Sequence, residues 1–252
     1  MPRRGVYLGM TTFVLVHGAW HDRSCWNQVI KRLEFLGHNA FAPNAAGHGK
    51  GVDKQVNHAE STRSIVDFIV DNDLTDIVLV GHGFGGTIIS KAAEMVSDRI
   101  RRLVFYAAFI PDDGESLYDN VPPDYRNLFD GLAAESPDAT IMLPFPIWRE
   151  VFMNDADLEF ARTCYSRLSP EPGQPLIEPL DLKKFYALDI PRSYLLPTED
   201  TAVSAGEWGW LWLPKMMARL GLCRMVRMPG GHQVHLTNPN FLVNRIIDAG
   251  RD

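Results

Sequence analysis

The stretch DIVLVGHGFGGTIIS, residues 76–90, sets an uninterrupted apolar run, Ile77 to Val80, directly before a glycine-rich turn and an apolar pattern of helical spacing. A strand buried on both faces needs such a continuous run, so the stretch points to a parallel sheet covered by helices on both sides. The turn admits two readings. As G-x-G-x-x-G it is Gly81, Gly83 and Gly86 between strand and helix, the setting of a dinucleotide-binding turn. As G-x-S-x-G it is a strand-to-helix elbow that should present a serine nucleophile, with Gly83 in the serine's place.

The rest of the chain repeats the alternation. Short β-branched or apolar runs at 11–17, 38–43, 75–81, 99–108, 192–197 and 223–229 read as strands. Between them, Trp26, Val29, Ile30 and Leu33, then Ile65, Phe68 and Ile69, then Ile88, Ile89, Ala92, Ala93 and Val96 recur at helical spacing, and Gly37 is a stop after the first set. Residues 112–186 break the pattern with nine prolines and no strong strand, yet carry Phe145, Trp148, Phe152, Phe160 and Tyr165, too many large apolar groups for a solvated segment. The expected organisation is one α/β domain in three stretches: core at 1–111, an inserted cap at 112–186, and core again at 187–252. Residues 1–9 read as a loose extension, with Met10 opening the folded part.

Composition removes several classes. A net charge of -6 without Lys/Arg clusters argues against a nucleic-acid partner. Three cysteines, Cys25, Cys164 and Cys223, without C-x-x-C spacing suggest neither a disulfide framework nor a zinc ribbon, and point to a reducing cytoplasm. No run approaches the roughly 20 apolar residues of a membrane span. His17 and His21 are four apart without a helix or H-E-x-x-H pattern to aim them at one ion, so no metal is expected.

Two observations decide between the readings of the turn. A dinucleotide site needs a carboxylate about 20 residues on, at the end of the next strand. Here that strand ends in Tyr106, Ala107 and Ala108, with no acid before Asp112. Two further segments have a role only in the elbow reading. VLVHGAW, 14–20, is a strand end whose backbone N–H groups can face an oxyanion, and MPGGHQVHLTNP, 228–239, sets His232 in a glycine-rich loop before a helix. Between elbow and histidine, YLLPTEDTAV, 194–203, puts Asp200 just past a strand, with Glu199 as its neighbouring rival. The chain order elbow, acid, histidine follows.

On FVLVHGAW, CWNQVIKRLEFLGHNAFAPNAAGHG, VLVGHGFGGTI, LVFYAAFIPDDGESL and IPRSYLLPTED the chain resembles the small α/β-hydrolases that include plant methylesterases, hydroxynitrile lyases and bacterial esterases or carbamate hydrolases such as those acting on carbendazim. The resemblance runs from about residue 11 to 245 and is weakest in the cap. It implies the α/β-hydrolase fold, no cofactor, Asp200 orienting His232, and an oxyanion hole from the N–H groups of Ala19 and Phe84. It also implies serine at 83, where this chain has glycine. HDRSCW, 21–26, departs from the family's glycine-containing loop at the pocket mouth.

An acyl-enzyme through residue 83 is excluded, because glycine has no attacking atom. Three outcomes stay open: a serine hydrolase of small aromatic esters, carbamates or amides whose nucleophile has been replaced; a serine-free lyase, epimerase or water-activating enzyme using His232 and Asp200 as a base; and a binding module. Trp20, Phe109, Phe145 and Trp148 are the aromatic candidates for substrate contact, with cap core as the alternative for Phe145 and Trp148. His17 and His82 are expected to support the loops, and Cys25 to pack inside. Trp208, Trp210 and Trp212 alternate at period two and cover the core or wall a pocket. The expected partner is a small molecule, and a homodimer is left open.

Overall fold

The computed structural model describes residues 9–203 and 211–252. In chain order it contains β1 (Thr12–Val16), α1 (Asn27–Phe35), β2 (Asn39–Phe41), α2 (His58–Asp71), β3 (Ile77–His82), α3 (Gly85–Met95) and β4 (Ile100–Tyr106). An excursion follows, with α4 (Pro123–Glu135), β5 (Thr140–Ile141), α5 (Phe145–Phe152), α6 (Leu158–Tyr165), β6 (Glu171–Pro172), α7 (Gln174–Ile177) and α8 (Lys183–Ala187). The chain then returns through β7 (Arg192–Pro197), α9 (Met217–Arg219), β8 (Arg224–Met228), α10 (Val234–Thr237) and α11 (Pro239–Gly250). The loose extension expected at 1–9 lies, but for Gly9, outside the described residues, as do Trp208 and Trp210.

Among the described residues, six strands form one sheet in the order β2-β1-β3-β4-β7-β8, every pairing parallel. The helix-covered parallel sheet is the one expected from the alternation, and its arrangement is the α/β-hydrolase fold that the resemblance implies. All six residues of β3 are buried, as a strand covered on both faces must be. One face packs against α1 and α11 through Val29, Leu33, Leu242 and Ile246; the other carries α2, α3 and the excursion through Ile65, Ile69, Ile88 and Trp148. Asn57 starts α2 with a reciprocal cap, its side chain accepting from Glu60 N while Glu60 accepts from Asn57 N. The excursion is not strand-free: β5 and β6 form a short antiparallel pair that sets Ile141 opposite Glu171. Proline at 172 leaves that pair too short to read from periodicity.

Candidate active site

Strand β3 ends at His82, Gly83 turns the chain at φ +54°, and α3 begins two residues later. The glycines of this turn are glycines for different reasons. A Cβ on Gly81 would lie 2.6 Å from Gly85 O, one on Gly85 2.7 Å from His17 O, and one on Gly86 2.4 Å from Phe109 O, all backbone atoms that cannot yield. These three let the helix start press onto the strand ends. At Gly83 the nearest atoms to a built Cβ are His232 Nε2 at 3.5 Å and Gly18 Cα at 3.8 Å, ordinary contact distances. The position has room for a side chain and holds the left-handed backbone that a sharp elbow imposes.

His232 follows β8 on a glycine-rich loop. Its Nδ1 lies 2.7 Å from Asp200 Oδ2, and both side chains are almost fully buried. Glu199, the rival acid, instead donates its backbone N–H to Gly230 O. The second oxygen of Asp200 accepts from Ala202 N at 2.8 Å. With Nδ1–H donating to the carboxylate, the lone pair of Nε2 faces Gly83. The histidine is gripped from behind as well, its carbonyl accepting from Tyr106 OH at 2.9 Å and from His82 Nε2 at 3.1 Å. Burial, and after it the neighbouring His232 and His235, holds the basicity of His82 far below that of a free imidazole. His82 is thus a neutral support, and a Cβ on Gly18 would come within 2.9 Å of its Nδ1.

The loop after β1 brings Ala19 beside the elbow. Neither Ala19 N nor Phe84 N takes part in the turn and loop hydrogen bonds among the described residues. Trp20 sits at φ +64° and is held there by the excursion: its N–H donates to Glu171 Oε2 at 2.7 Å, its indole N–H to Ile141 O at 2.9 Å, and its carbonyl accepts from Ser169 N at 3.0 Å. Glu171 is fully buried and its other oxygen meets His48 Nε2 at 3.0 Å. Burial opposes a charge on His48, but the Glu171 carboxylate more than offsets it and raises its pKa. His17 is a support as expected, its Nε2 accepting from Ala45 N at 3.1 Å.

A cavity opens over Gly83 and His232. Its core wall includes Ala19, Trp20, Phe84, Phe109 and Trp212; its other wall is Leu117, Val121, Tyr125, Phe129, Phe152 and Leu176. Phe145 and Trp148, named in the sequence as substrate contacts, do not line it, and that expectation is corrected. Only the C-terminal end of α5 reaches the cavity, with Phe152 at 5.3 Å from the His232 ring; Trp148 packs on Tyr165 inside the excursion, and Phe145 lies under Arg162. The sequence reading missed Glu171, Phe129 and Tyr125. The last two were signalled by their i,i+4 spacing in α4, whereas nothing local marks Glu171 as buried.

Residues 13–245 match the Alpha/beta hydrolase family. The chain is 28% identical over 260 residues to a carbendazim hydrolyzing esterase of Nocardioides sp. (strain SG-4G), covering 96% of this chain and 100% of that protein. It is 34% identical over 232 residues to Methylesterase 1 of Arabidopsis thaliana, covering 79% and 82%. Among solved structures, an extracellular α/β-hydrolase from a Paenibacillus species, said to share structural and functional homology with tobacco salicylic acid binding protein 2, superposes with a TM-score of 0.92. That protein is 42% identical, with 96% of this chain and 100% of that one covered. No helix among the described residues is long and apolar enough to cross a membrane. From residue 13 to residue 245, this chain belongs to the alpha/beta hydrolase family.

Proposed function

We propose that the chain carries the site of a hydrolase for small, largely apolar aromatic esters or carbamates, with Gly83 in the nucleophile position. The observation that carries this reading is the room at residue 83: a Cβ there meets His232 Nε2 at 3.5 Å, while the neighbouring motif glycines have no such space. A serine hydroxyl at that position would reach the histidine. The relatives named for carbendazim hydrolysis and methyl-ester cleavage support an ester or carbamate bond as the target. The mostly apolar, aromatic-lined cavity supports the substrate class.

In the serine form, His232 Nε2 takes the Oγ proton as Oγ bonds to the acyl carbon, and the N–H groups of Ala19 and Phe84 receive the carbonyl oxygen as it becomes an oxyanion. The proton then passes to the leaving alcohol or amine, and water, deprotonated by the same nitrogen, releases the acid. Residues 112–186 act as the cap over this site, and the three free cysteines agree with a reducing, cytoplasmic setting. In the glycine form the cavity and the polar groups remain for binding, without the covalent step.

A second reading rests on the same histidine: the His232–Asp200 pair stays aligned, with Nε2 aimed into the cavity, so it can take a proton from water or carbon unaided. Hydrolysis of p-nitrophenyl acetate and of an aromatic methyl carbamate by the chain and by Gly83→Ser, side by side, separates the two. The nucleophile reading expects a gain of at least about 10³-fold, within the range lost when a serine hydrolase loses its nucleophile. An unchanged rate in a folded variant sinks it and leaves the base reading.

A further inference from the structure

Beside His82, three buried side chains converge from separate segments: His21 from the loop after β1, Cys25 from the turn before α1, and His235 from α10. One ring nitrogen of each histidine and the thiol sulfur all lie within 4.8 Å of one another. Among the described residues, Nε2 of His21 and Nε2 of His235 are each buried without a hydrogen-bond partner, a costly arrangement for two imidazoles only 5% and 1% exposed. His235 Nδ1 faces Tyr106 OH at 3.5 Å, which leaves Nε2 as the free nitrogen. None of the three takes part in the hydrolytic chemistry proposed above, and the ring of His82 packs on both His232 and His235.

We propose that His21, Cys25 and His235 form a binding site for a thiophilic d10 cation, Zn²⁺ or Cu⁺. Two imidazoles and a thiolate are the donors such ions select. At metal–ligand bonds of about 2.0–2.3 Å, ligand atoms of one tetrahedral ion stand roughly 3.3–3.6 Å apart. Each edge of the present triangle needs to close by at most about 1.5 Å. Burial, and secondarily the charge of His232, lowers the His21 pKa to about 4, and burial holds that of His235 well below the ordinary imidazole value, so both rings offer lone pairs at neutral pH. Burial raises the Cys25 pKa, so the thiol keeps its proton until the cation replaces it: one metal–sulfur bond forms and one proton leaves to solvent. A small cleft lined by His21, Asp22, Ser24, Cys25, Cys164 and Arg167 adjoins the cluster. Tyr106 OH supplies the outer contact that orients a ligating imidazole.

The test uses the full chain, reduced, stripped with chelator and dialysed. Co²⁺, standing in for Zn²⁺, is expected to bind at one equivalent with a thiolate-to-cobalt charge-transfer band and to be displaced by Zn²⁺. Cys25→Ser removes the band and weakens Zn²⁺ at least about 100-fold, a loss no smaller than that of an outer-sphere partner. His235→Gln weakens it similarly, and Cys223→Ser leaves it intact. In the second arm the chain withholds one equivalent of Cu⁺ from a chromophoric chelator, and Cys25→Ser forfeits it. Uptake of either ion with this dependence supports the site and names its cation. Failure to take up either ion, or uptake unchanged in a folded Cys25→Ser chain, overturns it.

Discussion

The two walls of the cavity are built on different terms. The core wall places its polar groups from backbone geometry: an elbow at φ +54°, a Trp20 loop at φ +64°, and a histidine whose ring and carbonyl are both held. Few residues satisfy each of those positions, so the wall leaves a pattern of glycines and histidines in the sequence. The excursion's wall, from Leu117 to Leu176, needs only volume and apolarity, which many side chains supply. Chemistry is written in identity and spacing, while selectivity is written in shape, and only the former is legible without coordinates.

The sharpest way to break this contrast is on the core wall. In a Gly83→Ser background, adding His232→Ala is expected to abolish the gained ester turnover, a loss on the order of 10⁴ to 10⁶-fold in kcat by stopped assays. A smaller loss would mean that the elbow serine acts without the base. Next comes the tie between the walls. Glu171→Ala strands His48 and the Trp20 N–H inside the protein, and urea unfolding should register a loss of about 3–5 kcal/mol.

Acid should test the buried supports. Burial, with the Lys91 charge after it, lowers the His58 pKa from 6.5 to about 4. A lowered basicity in the fold means that its stabilising contribution is complete above 6.5 and lost as pH falls toward 4. That is on the order of 3 kcal/mol for this residue, read from denaturation midpoints across the window. His17 and His82 are shifted in the same direction and steepen the decline.

The smallest effect separates shape from packing within the excursion. In the serine background, Phe129→Ala should raise KM for the aromatic carbamate about tenfold relative to p-nitrophenyl acetate, a change within the roughly 1–3 kcal/mol of a pocket's hydrophobic contacts. Trp148→Phe should lower stability and leave that ratio unchanged, because its ring packs on Tyr165 away from the cavity. Equal ratios for both would erase the distinction between the cavity-facing residue and the one packed inside the excursion.

The strands are readable because they rest on a local rule, an apolar run for a two-sided strand; an acid and a histidine past successive strands are equally legible, but the choice of Asp200 over Glu199 as the partner of His232 comes from the resemblance. Phe145 and Trp148 were misplaced because helical spacing reports that residues share a face without saying what the face meets. Glu171 and the His21, Cys25 and His235 cluster were invisible for another reason. Their partners lie 123 to 151 positions away for Glu171, and for Cys25 and His235 more than two hundred, so no window of sequence contains them.

Asp155, in the turn between α5 and α6, accepts from Gly231 N at 2.9 Å and from Thr237 Oγ1 at 3.0 Å, and Asn154 donates to Glu199 O at 3.1 Å. Together with the Glu171 contact to Trp20, these bonds moor the excursion to the histidine loop, the acid loop and the loop after β1. A roof moored at all three corners cannot be lifted without unsettling what lies beneath it. Displacing the excursion as one piece would break contacts to all three loops at once, so the cavity's outer wall and the loops that carry Asp200, His232 and Trp20 are held together.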